Sequence, residues 1–370
     1  MRGGSNNYAP ANVADYRDAG SDVAFQTDIL QGVSRTFALT IPQLPESLRI
    51  VVGNAYLLCR IADTIEDAAE VQSADKQVYA EAFVNVVGGR TDAQRFAHDF
   101  GALLDERTPT AERELIANTE RVVRLTHAFN PVQRQALEQC VAVMSRGMAE
   151  YQEDPSVRGL ATQAEMDRYC YFVAGVVGEM LTELFCDYCD ELSAERDEML
   201  QLAVSFGQGL QMTNILKDIW EDRRRGACWL PREVFAQQGL DLATLDTRTQ
   251  AVQFGAAMDE LIGIARLHLD NALTYTLRIP PAETGIRRFC LWAIGMAAMT
   301  LRKVHAHPDF ARGEDVKISR NTVKATVVFT SLTVRNDDLL RWGFRQATKS
   351  LPLAPASYQR AEVSCWEASA

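Results

Sequence analysis

From about Val23 onward, apolar residues recur at every third and fourth position, the spacing that lines one face of a helix, and this pattern runs through most of the chain. The longest patterned runs cover roughly 46–68, 76–88, 110–128, 131–152, 162–189, 194–224, 249–277 and 284–306. Pro42, Pro45, Pro109, Pro131, Pro155, Pro231, Pro280, Pro281 and Pro308 fall between them. A residue without an N–H is tolerated at helix starts and breaks helix interiors, so these prolines read as punctuation. Eight or more helices imply an all-α bundle. Only 322–334, TVKATVVFTSLTV, is rich in β-branched residues. A lone strand has nothing to pair with, and we read this run as helix.

Residues 1–20 show no periodicity and are expected to be a flexible tail, as are residues 351–370; residues 21–350 are expected to form one helical domain. No repeat of solenoid length is present. At 47% hydrophobic and 24% charged, the composition is that of an ordinary globular protein.

A net charge of −11 and a pI near 5.1 argue against nucleic acid as a partner. An anionic substrate would therefore need local arginines or metal ions. The first residues hold no apolar stretch of signal-peptide length, and no uninterrupted apolar run reaches the roughly 18 residues of a membrane helix, so a cytoplasmic protein is expected. The eight cysteines are scattered through apolar patterns and read as reduced core residues. Cys186 and Cys189 have zinc-like spacing, but neither a second pair nor a nearby histidine follows.

The strongest chemical signal lies in two carboxylate ladders. In LLCRIADTIED, Asp63 and Asp67 stand four apart and share one helical face with Arg60. In QMTNILKDIWED, Asn214, Asp218 and Asp222 repeat the spacing over two turns. A glutamate, Glu66 or Glu221, precedes the last aspartate of each. Like charges stacked at this spacing destabilise a helix, so two such ladders need a reason, and a divalent cation supplies one. Magnesium takes carboxylate and amide oxygens and keeps positions open for substrate phosphates. Apolar neighbours such as Leu57, Leu58, Ile61, Ile215, Leu216 and Ile219 make both helices core elements with an acidic edge. Together the ladders predict a magnesium-held diphosphate.

These motifs resemble the head-to-head prenyl synthases, the family of squalene, dehydrosqualene and phytoene synthases. The likeness covers roughly residues 24–340. Its segments follow one another in order: VSRTF (33–37), LLCRIADTIED, MDRYCYFVAGVVG (166–178), QMTNILKDIWED with WLP after it, and FCLWAIGMAAMTL (289–301). The resemblance implies an isoprenoid-synthase helical bundle around a central pocket. In it Asp63, Asp67, Asn214, Asp218 and Asp222 bind magnesium, while Ser34, Arg35, Arg60, Gln211 and Lys217 contact diphosphate. Tyr169 is implied as the group that takes or relays a proton, assisted by Arg60, with Tyr171 as its neighbouring candidate. Phe37, Phe172 and Phe289 are implied as pocket wall, with Gly175 and Gly178 letting a prenyl chain lie close to the backbone.

FCLWAIGMAAMTL followed by DVKISR (315–320) is closer to squalene synthases than to phytoene synthases. The resemblance therefore implies that farnesyl diphosphate is condensed to presqualene diphosphate and reduced with NADPH or NADH, whose phosphate Lys317 and Arg320 would meet. No GxGxxG fingerprint is present, so such a cofactor would bind in the bundle. Lys217 stands where the family often has arginine, Ala227 replaces a further arginine with Arg223, Arg224 and Arg225 beside it, and Ala293 replaces a proline. The C-terminal anchor of eukaryotic relatives is not expected, which leaves peripheral membrane contact for product release. Alternatives are a dehydrosqualene, phytoene or presqualene diphosphate synthase, or an inactive prenyl-lipid-binding helper. The oligomeric state is left open.

Overall fold

The computed structural model describes residues 20–34, 36–152, 157–245 and 250–361. Among them there is no strand; a single bridge pairs Leu160 with Pro231. The protein is all-α, as its periodicity demands. Helices Glu46–Asp67, Ser73–Val87, Pro131–Gln152, Arg196–Arg224, Ala251–Arg278 and Thr284–Ala306 follow the patterned runs closely. The β-branched run is helix Arg320–Thr333, capped by the Ser319 hydroxyl, which accepts from Thr322 N at 3.1 Å.

Two long runs are broken. The run over 110–128 divides at Asn118 into Thr110–Ala117 and Thr119–Ala128, where the Asn118 amide donates to Glu114 O. The run over 162–189 becomes helix Gln163–Cys170, a π turn at Tyr171–Gly175 and helix Val176–Tyr188. A π turn inserts one residue into the ladder and re-aims the side chains around it. Helices Gly20–Val33, Ala93–Gly101, Arg232–Gln237 and Asp337–Thr348 are additional to the patterned runs.

Where the sequence reading counts one domain, the chain divides into two compact units, Met1–Ala142 with Glu183–Ser193, and Val143–Thr182 with Ala194–Ala370. In the first, helix Glu46–Asp67 is the axis, with Leu57, Leu58, Ile61 and Ile65 buried against neighbouring helices. Buried Asp22 fastens helix Gly20–Val33 to helix Thr119–Ala128 through Arg121 and Arg124, at 2.9 and 2.8 Å. The hydrogen bond from Arg124 holds its carboxyl below the usual range despite burial.

In the second unit, helix Arg196–Arg224 packs on helices Ala251–Arg278 and Thr284–Ala306. Glycines set the spacing. A Cβ at Gly178 would lie 2.3 Å from Ala203 O, one at Gly207 2.1 Å from Ala174 O, and one at Gly209 2.9 Å from the His268 side chain. Fully buried Arg287 staples helix ends together, donating to Ile279 O, Leu277 O and Val334 O and to the Asp337 carboxylate at 2.7 Å.

Residues 351–361 correct the expected C-terminal tail. Leu351 is buried, Arg266 donates to Leu351 O at 2.8 Å, and the backbone at Leu353 runs against Gly263. The Tyr358 hydroxyl sits 3.0 Å from both Asp167 Oδ2 and His268 Nε2, and Ala361 N donates to Asp167 Oδ2 at 3.2 Å. Periodicity missed this because the segment is held by polar contacts to residues distant in sequence. The other ends of the two expected tails, residues 1–19 and 362–370, lie outside the described residues.

By length and composition, Gln163–Tyr188 also reaches membrane-span values, with a mean hydropathy of 1.3, contrary to the sequence reading. Two thirds of that window, 67%, is buried in the protein, as suits a core segment.

Two outcomes follow from this packing. Gly178→Val forces a side chain onto the Ala203 carbonyl and is expected to cost on the order of 3 kcal/mol, roughly 6–12 °C in Tm by calorimetry; an unchanged Tm would show that the space above Gly178 is open. Burial drives the His268 pKa down from 6.5 to about 3, so below pH 6.5 the unfolded chain takes up a proton that the folded one refuses. Stability contributed by neutral His268 is thus complete above pH 6.5 and lost progressively as pH falls toward 3. In urea titrations, the stability gap between wild type and His268→Gln should shrink by up to about 1.4 kcal/mol per pH unit below 6.5. A constant gap between pH 7 and 5 would contradict the buried neutral imidazole.

Candidate active site

In the first unit, the apolar face of helix Glu46–Asp67 is locked in the core, which leaves Tyr56, Arg60 and Asp63 along one edge. Arg60 Nη1 lies 3.7 Å from Asp63 Oδ2, and Nη2 donates to the Tyr56 hydroxyl at 3.2 Å. That hydroxyl in turn donates to Val33 O at 3.0 Å. The next residue, Ser34, accepts from Phe37 N at 2.9 Å, and the Phe37 ring lies 5.2 Å from Tyr56. Ser34, Phe37, Arg60 and Asp63 are therefore joined through Tyr56, a residue the sequence reading passed over although it stands one turn before Arg60. Arg35 lies outside the described residues.

The electrostatics are those of a crowded anionic edge. Burial pushes the Asp63 carboxyl up to about 6; Arg60 opposes this, and the charges of Asp67 and Glu112 add to it. Burial works against the Arg60 charge as well, yet Asp63 and Tyr56 hold the guanidinium above its ordinary value. Asp67, the exposed last residue of the helix, completes the ladder. Lys76 reaches the same end by donating to Glu66 O, and burial lowers its pKa against the pull of Glu66, Asp67 and Glu70. Glu112 and Lys76 come from other helices, and no local spacing announces them.

In the second unit, helix Arg196–Arg224 buries Met212, Ile215, Leu216 and Ile219, so Asn214 is exposed and Asp218 and Asp222 are half-buried. Gln211, also half-buried, precedes this ladder by three residues. Lys217 Nζ stands 3.0 Å from Asp218 Oδ2. Glu221 instead serves the backbone, accepting from Gly313 N at 3.1 and 3.2 Å and from Arg224 at 2.9 Å, which ties down the turn Gly313–Val316. A Cβ at Gly313 would sit 2.7 Å from Asp218 Oδ1, so only glycine lets this backbone pass beside the ladder. Beyond the turn, Lys317 and Arg320 are exposed, with Lys317 paired to Glu314 at 3.0 Å.

Tyr169 is buried in the same core cluster as the inner face of that helix. Its ring stacks on Trp229 with centroids 4.0 Å apart and planes 6° from parallel, and Tyr151 meets it edge-on at 5.2 Å. The bridge that pairs Leu160 with Pro231 holds the WLP segment in place: Leu160 N donates to Leu230 O at 2.9 Å and Arg232 N to Leu160 O at 2.7 Å. Tyr171 is fully buried and donates to Glu179 at 2.9 Å, and Phe172 lies under the Arg168 guanidinium at 5.3 Å. Phe289 is buried.

The reading of Gly175 and Gly178 as room for a prenyl chain is corrected. Space above Gly175 is filled by Tyr171 and Val204, and that above Gly178 by the Ala203 backbone. Helix–helix packing needs the same small residues as a ligand groove does. Six of the seven described cysteines are buried.

Among the described residues, no three acidic, histidine or cysteine side chains converge as a complete cage. Magnesium does not require such a cage, since one or two carboxylates and several waters or phosphates can share the ion. Both ladders offer such hard oxygens, with Arg60 beside Asp63 and Lys217 beside Asp218, and the residues of each ladder fit the ion in that mode.

The squalene/phytoene synthase family model matches residues 30–322. Similar curated proteins include squalene synthase ERG9 of Candida albicans, 30% identical over 80% of this chain and 64% of its own length. Squalene synthase of Eremothecium gossypii is 26% identical over 96% of this chain and 78% of its own. The chain thus spans just under two thirds of the first of these relatives. Among solved structures, the complex of TcSQS with the ligand BPH1237 matches with a TM-score of 0.71 at 23% identity, covering 94% of this chain and 95% of that one. A dehydrosqualene synthase in complex with ligand matches with a TM-score of 0.58 at 21% identity, covering 85% and 96%. These structural likenesses establish the fold. Since the matched span takes in both ladders, the Tyr169 segment and FCLWAIGMAAMTL, the chain belongs to the squalene/phytoene synthase family.

Proposed function

We propose that this protein is a head-to-head prenyl synthase that joins two farnesyl diphosphates to presqualene diphosphate and reduces this with NADPH, or NADH, to squalene. The observation that carries the reading is the pair of carboxylate ladders, each on a helix whose other face is locked in a core, within the span shared with the family. The names of the curated relatives favour squalene as the product.

Magnesium bound at Asp63, Asp67, Asn214, Asp218 and Asp222 would neutralise the negative charge that builds on diphosphate as it leaves. Arg60 supplies a permanently charged fork beside Asp63, and Lys217 a point charge beside Asp218, both suited to phosphate oxygens. Ser34, Arg35 and Gln211 complete the diphosphate contacts. Tyr169 receives or relays the proton lost when the cyclopropane closes; a phenol with an ordinary pKa near 10 does so only while neighbouring cations favour its oxyanion. Phe37, Phe172 and Phe289 are assigned as aromatic wall for a carbocation, and the burial of Phe172 and Phe289 supports this role for those two.

The hydride of the reduction would come from the nicotinamide, with Lys317 and Arg320 as its phosphate contacts. We place the protein in the cytoplasm with peripheral membrane contact. Exposed Val328, Leu332 and Trp342, flanked by exposed Lys324, Arg335, Arg341 and Arg345, support such a contact in a chain that is acidic overall.

Three measurements test this. Asp63→Asn and Asp222→Asn should each lower turnover by roughly two to four orders of magnitude with an unchanged helical circular dichroism spectrum; near wild-type turnover in either refutes its metal role. Tyr169→Phe should block presqualene diphosphate formation while leaving farnesyl diphosphate affinity within about threefold, and a change in affinity alone would make Tyr169 a wall residue. With deuterium-labelled NADPH the product should be squalene carrying one deuteride, and without NADPH presqualene diphosphate should accumulate. Dehydrosqualene as the main product with NADPH present, or phytoene from geranylgeranyl diphosphate, would replace squalene by those alternatives within the same family.

A further inference from the structure

Asp167 lies two residues before Tyr169 in the eight-residue helix Gln163–Cys170, and it is 1% exposed. A buried carboxylate is costly unless donors surround it. Three hydrogen bonds reach it: Gln163 Nε2 to Oδ1 at 2.9 Å from its own helix, and the Tyr358 hydroxyl and Ala361 N to Oδ2 at 3.0 and 3.2 Å from the C-terminal segment. Two of the three donors therefore come from residues 351–361. Burial raises the Asp167 pKa, and these hydrogen bonds and the charge of Arg360 oppose the rise.

The hydrogen bonds behind Tyr358 run in one direction only. Asn271 Nδ2 is a donor and points to Ser205 Oγ at 2.9 Å. The Ser205 hydroxyl then donates to His268 Nδ1 at 2.8 Å, His268 Nε2–H donates to the Tyr358 oxygen at 3.0 Å, and Tyr358 donates to the carboxylate, which only accepts. A donor at one end and an acceptor at the other fix His268 as the neutral Nε2–H tautomer, in keeping with its depressed pKa. Every bond along the chain is aimed at Asp167.

On a helix of 3.6 residues per turn, Asp167 and Tyr169 lie about 200° apart, on nearly opposite sides. Tyr169 presses on Trp229 on one side while the C-terminal segment grips Asp167 on the other. Gln208 Nε2 adds a hydrogen bond to Asp167 O at 2.9 Å, and the far end of the helix passes directly into the π turn. The contacts to Asp167 thus hold the N-terminal end of a helical segment that continues through the π turn.

We propose that residues 351–361 form a clasp in which the Tyr358 hydroxyl, through Asp167, is a positioning group for the helix that carries Tyr169. The functional part of this inference rests on Tyr169 acting in the reaction proposed above. Tyr358 itself touches no reacting atom.

Tyr358→Phe in the full chain keeps the ring and removes the donor. Hydrogen exchange followed by mass spectrometry should show amides within Gln163–Cys170 exchanging at least about tenfold faster, with helix Glu46–Asp67 unchanged as an internal control. With farnesyl diphosphate and magnesium, kcat should fall about tenfold while KM stays within about twofold, a split that general loss of folded protein does not produce. Unchanged exchange in Gln163–Cys170 overturns the clasp, and faster exchange with unchanged kcat overturns the positioning role. Should Tyr358→Phe fail to fold, His268→Gln, which acts one bond further from Asp167, provides the same comparison. A wild-type protein inert toward farnesyl diphosphate would overturn the functional reading alone, because exchange reads the clasp without substrate.

Discussion

The close approach of backbones along helix Arg196–Arg224 is the constraint on which the second unit depends. Gly207 lies against Ala174 O, Ala203 O against Gly178, and Gly209 against His268, so no position has room for a further methyl group. Interiors packed to this density transmit displacement rather than absorb it. The acidic ladder at Asn214, Asp218 and Asp222, the π turn at Tyr171–Gly175 and the histidine that backs the C-terminal segment are consequently held in one register by three glycine contacts. The loss of helix propensity at those glycines, up to about 1 kcal/mol each, is offset by the contact they permit.

Both ladders exploit the same division of labour. Leu57, Leu58 and Ile61 anchor one helix and Ile215, Leu216 and Ile219 the other, which leaves carboxylates on an edge that the fold cannot turn away. Their surroundings differ. Asp63 is recessed beside Arg60 and among other carboxylates, and its affinity for a proton is raised accordingly. Asp218 is more open, with Lys217 beside it and the Gly313 backbone passing close by. A cation bound beside Asp63 would reverse that balance and favour the carboxylate.

Polar contacts across long sequence separations do the fastening that apolar pattern does not reveal. Asp22 with Arg121 and Arg124, Arg287 with four acceptors, and Asp167 with the C-terminal segment all join elements that no periodicity relates. Each is a buried charge held by partners on at least one other element, an arrangement that is weak as a source of net stability and strong as a selector of one geometry.

The amino-acid sequence by itself determined the helical class, the bounds of the long helices to within a few residues and the faces that carry Asp63, Asp67, Asn214, Asp218 and Asp222, because a 3.6-residue period is a local property. It also marked Tyr169 and FCLWAIGMAAMTL by likeness to a family. Only the tertiary structure decided what occupies the space above Gly175 and Gly178, since a glycine leaves the same gap for a neighbouring helix as for a ligand. It likewise decided that Glu221 binds the Gly313 backbone, that Tyr56 joins Arg60 to the Val33 carbonyl, that Trp229 stacks on Tyr169, and that residues 351–361 are fastened to Asp167. These pairings are made by residues far apart in the chain, and their geometry follows from how whole helices pack rather than from any spacing within one of them.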